Sequence, residues 1–197
     1  MSKKVILISY NYYPELTGIG KYNTELCEYL VIKGYEVKVI TGYPYYPNWE
    51  LQKGYKNNWF KTEIYNGVEI LRCPFYIPKN PTGAKRMLLD LSFYLSSLIC
   101  TLLQIVKRNK YDLIIAVSPS FFNGFNGILL KLFNKKAKLI YHVQDLQIDA
   151  AIELGIIKNA TLKKILVSLE KYILSKADTV STISIGMINK LNSKFGT

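Results

Sequence analysis

The sequence predicts an α/β domain of the doubly wound, Rossmann-like kind, a mainly parallel sheet with helices on both faces. Three observations point there. Short, mostly apolar runs of strand length recur at Val5-Ile6-Leu7-Ile8, Val37-Lys38-Val39-Ile40, 112–117 and 138–143. Longer stretches with helical apolar spacing lie between them. The strand–helix–strand intervals leave room for the crossover that a parallel pair requires.

The elements follow in order. After the first strand comes a loop, Asn11-Tyr12-Tyr13-Pro14-Glu15-Leu16-Thr17-Gly18-Ile19-Gly20, then a helix to about Lys33. Its apolar positions are Tyr22, Leu26, Tyr29, Leu30 and then Val31 or Ile32, and Gly34 ends it. Residues 42–61 make a Pro/Tyr/Trp-rich loop longer than a connection needs to be, a type that often carries function. Residues 63–72 read as a hairpin about Asn66-Gly67. A helix is expected at 84–107, a strand at 112–117, a helix at about 120–134 and a strand at 138–143. Helices near 146–154 and 160–176, a strand at 178–183 and a last helix from Ser184 complete the order. No internal repeat or low-complexity linker interrupts it.

Composition narrows the class. With 197 residues, 49% of them hydrophobic and 13% aromatic, the chain can bury a real core, which excludes disorder. Cys27, Cys73 and Cys100 are few, odd in number and set among apolar neighbours, as in a reducing compartment, so a disulfide scaffold is not expected. Met1-Ser2-Lys3-Lys4 leads into only four apolar residues, too few for a signal peptide. The formal charge is +12, and residues 70–144 hold 11 basic residues against Asp90 and Asp112 alone. One end of the surface is therefore expected to be strongly positive, which suits an anionic membrane surface or phosphorylated ligands. Nucleic acid is disfavoured, because only Arg72, Arg86 and Arg108 are arginine and no DNA- or RNA-binding motif occurs.

Residues 87–106 are long enough to span a membrane but carry Asp90, Ser92, Ser96, Ser97, Thr101 and Gln104. A core helix is the expectation; the flanking Lys85-Arg86 and Lys107-Arg108 leave an interfacial helix open.

Four features could carry chemistry. Gly18-Ile19-Gly20 at a helix N-terminus offers free N–H groups and the positive end of a dipole to an anion, although two glycines also suffice for a tight turn. Neither the dinucleotide fingerprint nor a P-loop fits, since Asn23 stands where the third Gly belongs and Tyr22 follows Gly20-Lys21. His142, the only histidine, falls at the carboxyl edge of a predicted parallel strand, where open α/β sheets bind ligands; a satisfied core histidine is the alternative. Gln144, Asp145 and Asp149 follow, the two acids spaced to share a helix face unless Asp145 is simply its N-cap. One histidine and scattered cysteines give no credible metal ligand set. The aromatic group Tyr43, Tyr45, Tyr46, Trp49, Tyr55 and Trp59 suits sugar faces or a lipid interface, or packs its own loop down.

Together, residues 10–22, Tyr-Pro-Tyr-Tyr-Pro-Asn-Trp at 43–49, Arg-Cys-Pro-Phe-Tyr-Ile-Pro-Lys-Asn-Pro at 72–81, and residues 142–155 resemble the N-terminal half of a family 4 glycosyltransferase of the exopolysaccharide-building kind. The resemblance covers essentially the whole chain. It implies a GT-B architecture of two Rossmann-like domains, retaining transfer from a GDP- or UDP-linked sugar, and no metal or other cofactor. It implies that Gly18 and Gly20 lie near the donor phosphates and that His142 and Asp145 lie at the chemistry. Asp149, Tyr45, Trp49 and Lys21 are expected at the acceptor. The implied acceptor is a polyprenyl-diphosphate-linked glycan on the cytoplasmic face of a bacterial plasma membrane. Where the family pattern often has an acidic residue, Gln147 stands here. Residues 1–197 are expected to form the acceptor-side domain alone, the C-terminal nucleotide-sugar-binding domain being absent from this chain. A non-catalytic module of the same fold, binding a lipid-linked glycan or a partner protein, is the alternative.

Overall fold

A computed structural model describes residues 2–196; the terminal Met1 and Thr197 lie outside the described residues. The central strand is β1 (Lys4–Ile8), whose four apolar side chains are fully buried. Helix α1 (Gly18–Ile32) leads to β2 (Glu36–Gly42), which lies parallel to β1 with Leu7 opposite Val39. Strands β3 (Lys61–Tyr65) and β4 (Val68–Cys73) form the expected hairpin, with Asn66 and Gly67 both at positive φ as its tight turn demands. Strand β4 joins β2 in parallel.

Helix α2 (Gly83–Val106) crosses to β5 (Leu113–Ser118) on the other side of β1. Helix α3 (Asn123–Phe133) and β6 (Lys138–Val143) follow. The remaining elements are α4 (Gln147–Glu153), α5 (Ala160–Lys176), β7 (Thr179–Thr182) and α6 (Ile185–Phe195). The sheet order is β3-β4-β2-β1-β5-β6-β7, and every neighbouring pair is parallel except β3 with β4. One face carries the larger core, where residues of α2, α3, α5 and α6 pack; α1 lies over the smaller core on the other face. The expected Rossmann-like class is the one found.

Two helices turn a different face inward from the one their apolar spacing predicts. On α1 the fully buried residues are Gly20, Asn23 and Cys27, while Tyr22, Leu26, Tyr29 and Ile32 are exposed. Small residues let α1 lie against the first loop. Asn23 Nδ2 donates to Ser9 Oγ at 3.0 Å and to the Asn11 carbonyl at 3.1 Å, which satisfies a buried amide that periodicity scores as polar.

Helix α2 is inverted more thoroughly. Asp90, Ser97, Thr101 and Gln104 are buried beside Leu89, Phe93 and Cys100, whereas Leu88, Leu91, Leu95, Ile99, Leu102, Leu103 and Val106 are exposed. Several inward polar groups have partners. Asn126 Nδ2 donates to Ser97 Oγ at 2.8 Å, and Gln104 Oε1 accepts from Tyr111 Oη at 2.8 Å and Asn109 Nδ2 at 2.7 Å. The polar residues that argue against a membrane span thus face the protein, and the apolar stripe is left on the outside.

Candidate functional site

A cavity of about 420 Å³ opens at the carboxyl edge of the sheet. Tyr10 and Asn11 follow β1 into it, Tyr45, Tyr46 and Trp49 follow β2, Pro119 and Phe121 follow β5, and Asp145 and Gln147 follow β6. This is the edge at which parallel α/β sheets present ligands, because every crossover loop there faces the same crevice. Gly18 and Ile19 bring the N-terminus of α1 to the same space, and Arg86 and Asp90 come from α2. Gly18 has φ +57, a left-handed conformation that glycine adopts without strain, and the N-cap residue Thr17 makes no side-chain hydrogen bond to the first turn. The leading N–H groups of α1 are therefore not occupied by a side-chain cap.

The long loop of residues 42–61 does both things open to it. Tyr43 Oη donates to the Trp59 carbonyl at 2.7 Å, and Tyr45 packs edge-on against Phe75 with ring centroids 5.5 Å apart, which fastens the loop down. Tyr45, Tyr46 and Trp49 still form one wall of the cavity, and the Arg86 guanidinium lies 5.0 Å from the Trp49 ring centre.

Glu15 holds this wall in place, a role its sequence position in the first loop did not signal. It is 1% exposed, and its Oε1 accepts hydrogen bonds from the backbone N–H groups of Tyr45 and Tyr46, both at 2.9 Å. Asn11 Nδ2 donates to Oε2 at 2.7 Å. Burial pushes the Glu15 carboxyl up, against these three hydrogen bonds that favour its ionised form. A Cβ at Gly20 would come 2.7 Å from the Glu15 Cβ, so Gly20 makes room for the brace and does not itself line the cavity. Arg72, fully buried on β4, adds a second tie. Its guanidinium pairs with Glu63 at 2.7 Å, and it donates to the Gly42 carbonyl at 3.1 Å and the Tyr13 carbonyl at 2.5 Å.

Asp90 is the other residue that sequence reasoning missed, noting it only as a polar interruption. It is 4% exposed and lines the cavity; Gln147 Nε2 donates to its Oδ2 at 2.6 Å, and Oδ1 has no partner among the described residues. Burial raises its pKa from the ordinary 3.8 to about 7, opposed by the Gln147 hydrogen bond and by Arg86 one turn earlier on α2. The one signal in the sequence is that Asp90 is the sole acid between Glu69 and Asp112.

Of the residues singled out in the sequence, Gly18, Tyr45, Trp49 and Asp145 meet in the cavity. Asp145 is exposed there, its carbonyl accepting from Ser118 Oγ at 3.0 Å; the cap of α4 is Leu146, so Asp145 is not the N-cap. His142, Gly20, Lys21 and Asp149 are not among the residues that line the cavity. His142 is half-buried on β6, 2.8 Å from Ser181 Oγ through Nδ1, and burial lowers its affinity for a proton. Lys21 is exposed on α1, 3.8 Å from Glu25. Asp149 does not share a face with Asp145. It pairs at 2.7 Å with Lys194 of α6, which also bonds Glu170 of α5 at 2.7 Å, so these charges clamp α4, α5 and α6 together.

A Rossmann-like sheet with an aromatic-walled crevice at its carboxyl edge belongs, in fold, with the GT-B enzymes. The sucrose-phosphate synthase of Thermosynechococcus elongatus superposes with a TM-score of 0.60 at 18% identity, over 98% of this chain and 45% of that one. The catalytic domain of starch synthase IV from Arabidopsis thaliana, solved with ADP and acarbose, gives 0.51 at 14% identity, over 74% and 34%. More specifically, residues 17–196 match the glycosyl transferase 4-like domain, and the chain belongs to that family. It is 39% identical over 194 residues to a protein of Escherichia coli (strain K12) named for colanic acid biosynthesis, the glycosyl transferase WcaI. The alignment takes in 97% of this chain and 47% of that protein, so the chain spans about half the length of the curated relative it matches.

Proposed function

We propose that this chain is the acceptor side of a retaining glycosyltransferase that moves a sugar from a GDP- or UDP-linked donor to a polyprenyl-diphosphate-linked glycan, in exopolysaccharide, capsule or lipopolysaccharide assembly. The observation that carries the reading is the cavity itself: rings of Tyr45, Tyr46 and Trp49 for a sugar face, with the N-terminus of α1 at Gly18 for a phosphate. In this reading a second, nucleotide-binding domain outside residues 1–197 supplies most of the cations for the leaving diphosphate, and this chain alone does not turn over. The charge that develops on the leaving group is met by fixed N–H dipoles and cations, without a metal. Asp145 on the lining and His142, three residues earlier on β6, serve the transferring sugar; Gly20 makes room for Glu15, while Lys21 and Asp149, expected at the acceptor, lie off the cavity.

The test is transfer by the full-length protein from a panel of GDP- and UDP-sugars to a polyprenyl-diphosphate-linked acceptor, with His142→Ala alongside. Turnover by the wild type and its loss in a folded His142→Ala protein is the expected result. A folded full-length protein that binds the acceptor but turns over no donor would instead favour a non-catalytic glycan-binding module.

The same reading seats the protein on the cytoplasmic face of the plasma membrane through α2. The outward residues Leu88, Leu91, Leu95, Ile99, Leu102 and Val106 form one stripe, with Lys85 and Arg86 before it and Lys107 and Arg108 after it. Basic residues at both ends of an apolar stripe suit an anionic lipid surface. The opposite side of α2 is packed on the sheet and α3, so the helix lies in the interface and does not cross it. Vesicles containing anionic lipid should sediment the protein, and about 0.5 M salt should weaken that binding. Equal binding to neutral vesicles would remove the electrostatic part of this reading.

A further inference from the structure

The polar groups inside the cavity are unevenly distributed. Toward α1 it presents amide donors at Gly18 and Ile19, and Arg86 stands exposed beside Trp49. Asp90 is the buried carboxylate of the lining, one turn from Arg86 on α2, and Asp145 is on the same lining. A carboxylate can accept about four hydrogen bonds, and Asp90 accepts one, at Oδ2 from Gln147. Its Oδ1 is buried and unpaired among the described residues; the inward Ser97 and Gln104 on the same helix have partners from α3 and from the lead-in to β5, and Thr101 Oγ1, also unpaired, does not line the cavity. Leaving such a group without a donor is expensive, and folding has no packing reason to place a charge there.

We infer that Asp90 is a sugar-hydroxyl receptor: Oδ1 accepts a hydrogen bond from a hydroxyl of an uncharged sugar unit held against Tyr45, Tyr46 and Trp49, while Gln147 fixes Oδ2. The ligand beside Asp90 is a neutral polyol: a hydroxyl donor completes Oδ1, the Arg86 guanidinium one turn away offsets only one of the two carboxylates on the lining, Asp90 and Asp145, and the aromatic rings take the C–H face of a pyranose. The inference deepens the acceptor reading above and rests on it.

The test uses the full chain with Trp59→Phe. Trp49 is then the single tryptophan and reports on the cavity, while Trp59 lies outside it and is 75% exposed. The probes are the methyl glycosides of glucose, galactose, mannose, fucose and N-acetylglucosamine, together with the monodeoxy analogues of whichever binds. At pH 8, where Asp90 is ionised, at least one glycoside should saturate a change in Trp49 emission, and Asp90→Asn should weaken it by about tenfold, the worth of one hydrogen bond to a charged group. One monodeoxy analogue should bind the wild type about tenfold less tightly than its parent, yet lose nothing further in Asp90→Asn, which a merely structural role could not produce. Asp90→Ser, which also fits the space, serves where Asp90→Asn does not fold. Unchanged affinity in a folded Asp90 variant, or the same deoxy penalty in variant and wild type, overturns the inference and leaves the acceptor reading standing. Saturable binding of none of the glycosides overturns both.

Discussion

At the scale of single residues, the site is organised by two buried acids, one with three hydrogen-bond donors and one with a single donor. Glu15 is fully engaged, and its removal strands three donors at once: the N–H groups of Tyr45 and Tyr46 and the Asn11 amide. Glu15→Ala is therefore expected to cost about 3 kcal/mol or more, read as a lowered urea midpoint. A change within a few tenths of a kcal/mol would mean that the brace bears no load. Burial raises the proton affinity of both acids, but Asp90 has only one hydrogen-bond donor to set against it. Its proton affinity is raised in the folded state, so its contribution to stability is fully present below about pH 4 and is lost as pH rises toward 7. Removing the charge should then stabilise the protein where the charge is present: Asp90→Asn is expected to gain on the order of 2 kcal/mol or more at pH 8 and little at pH 4. Urea unfolding at the two pH values checks this, and an equal shift at both would contradict it. A residue that lowers stability where it sits is a mark of function over folding. Neither acid was legible in the sequence. Burial decides their importance, and no local pattern separates Glu15 or Asp90 from a surface carboxylate.

At the scale of elements, strand and helix positions were readable because buried parallel strands are nearly all apolar and the Asn66-Gly67 turn has a demanding geometry. The orientation of α1 and α2 was not. Apolar periodicity assumes that the apolar face is the buried one, whereas here Asn23 on α1 and Ser97 and Gln104 on α2 find buried partners, and the leucines of α2 face out. The consequence can be tested on α2 alone. Leu95 is 54% exposed at the middle of the stripe. Leu95→Glu should shift stability by no more than about 0.5 kcal/mol, as for a surface substitution, yet abolish sedimentation with anionic vesicles. Retained vesicle binding would show that the stripe is not what touches lipid.

At the scale of the whole molecule, the order β3-β4-β2-β1-β5-β6-β7 gathers the loops after β1, β2, β5 and β6 on one edge. That much follows from a parallel sheet. Gly18, Tyr45, Trp49 and Asp145, picked from the glycine spacing, the aromatic loop and the family resemblance, are found together there, whereas His142, picked from the sheet edge itself, does not line the cavity. Asp149 could not be placed the same way, because its partners Lys194 and Glu170 lie on α6 and α5, far along the chain. The shared anchor at Glu15 has a further result. The aromatic wall and the loop leading into α1 hang from one carboxylate, so their relative position is settled when the chain folds and not when a ligand arrives. The crevice behaves as a mould cast in advance. Ligand preference then belongs to the side chains at its rim: exchanging the ring at Tyr46 or Trp49 should alter what the crevice accepts while the casting beneath stays unaltered.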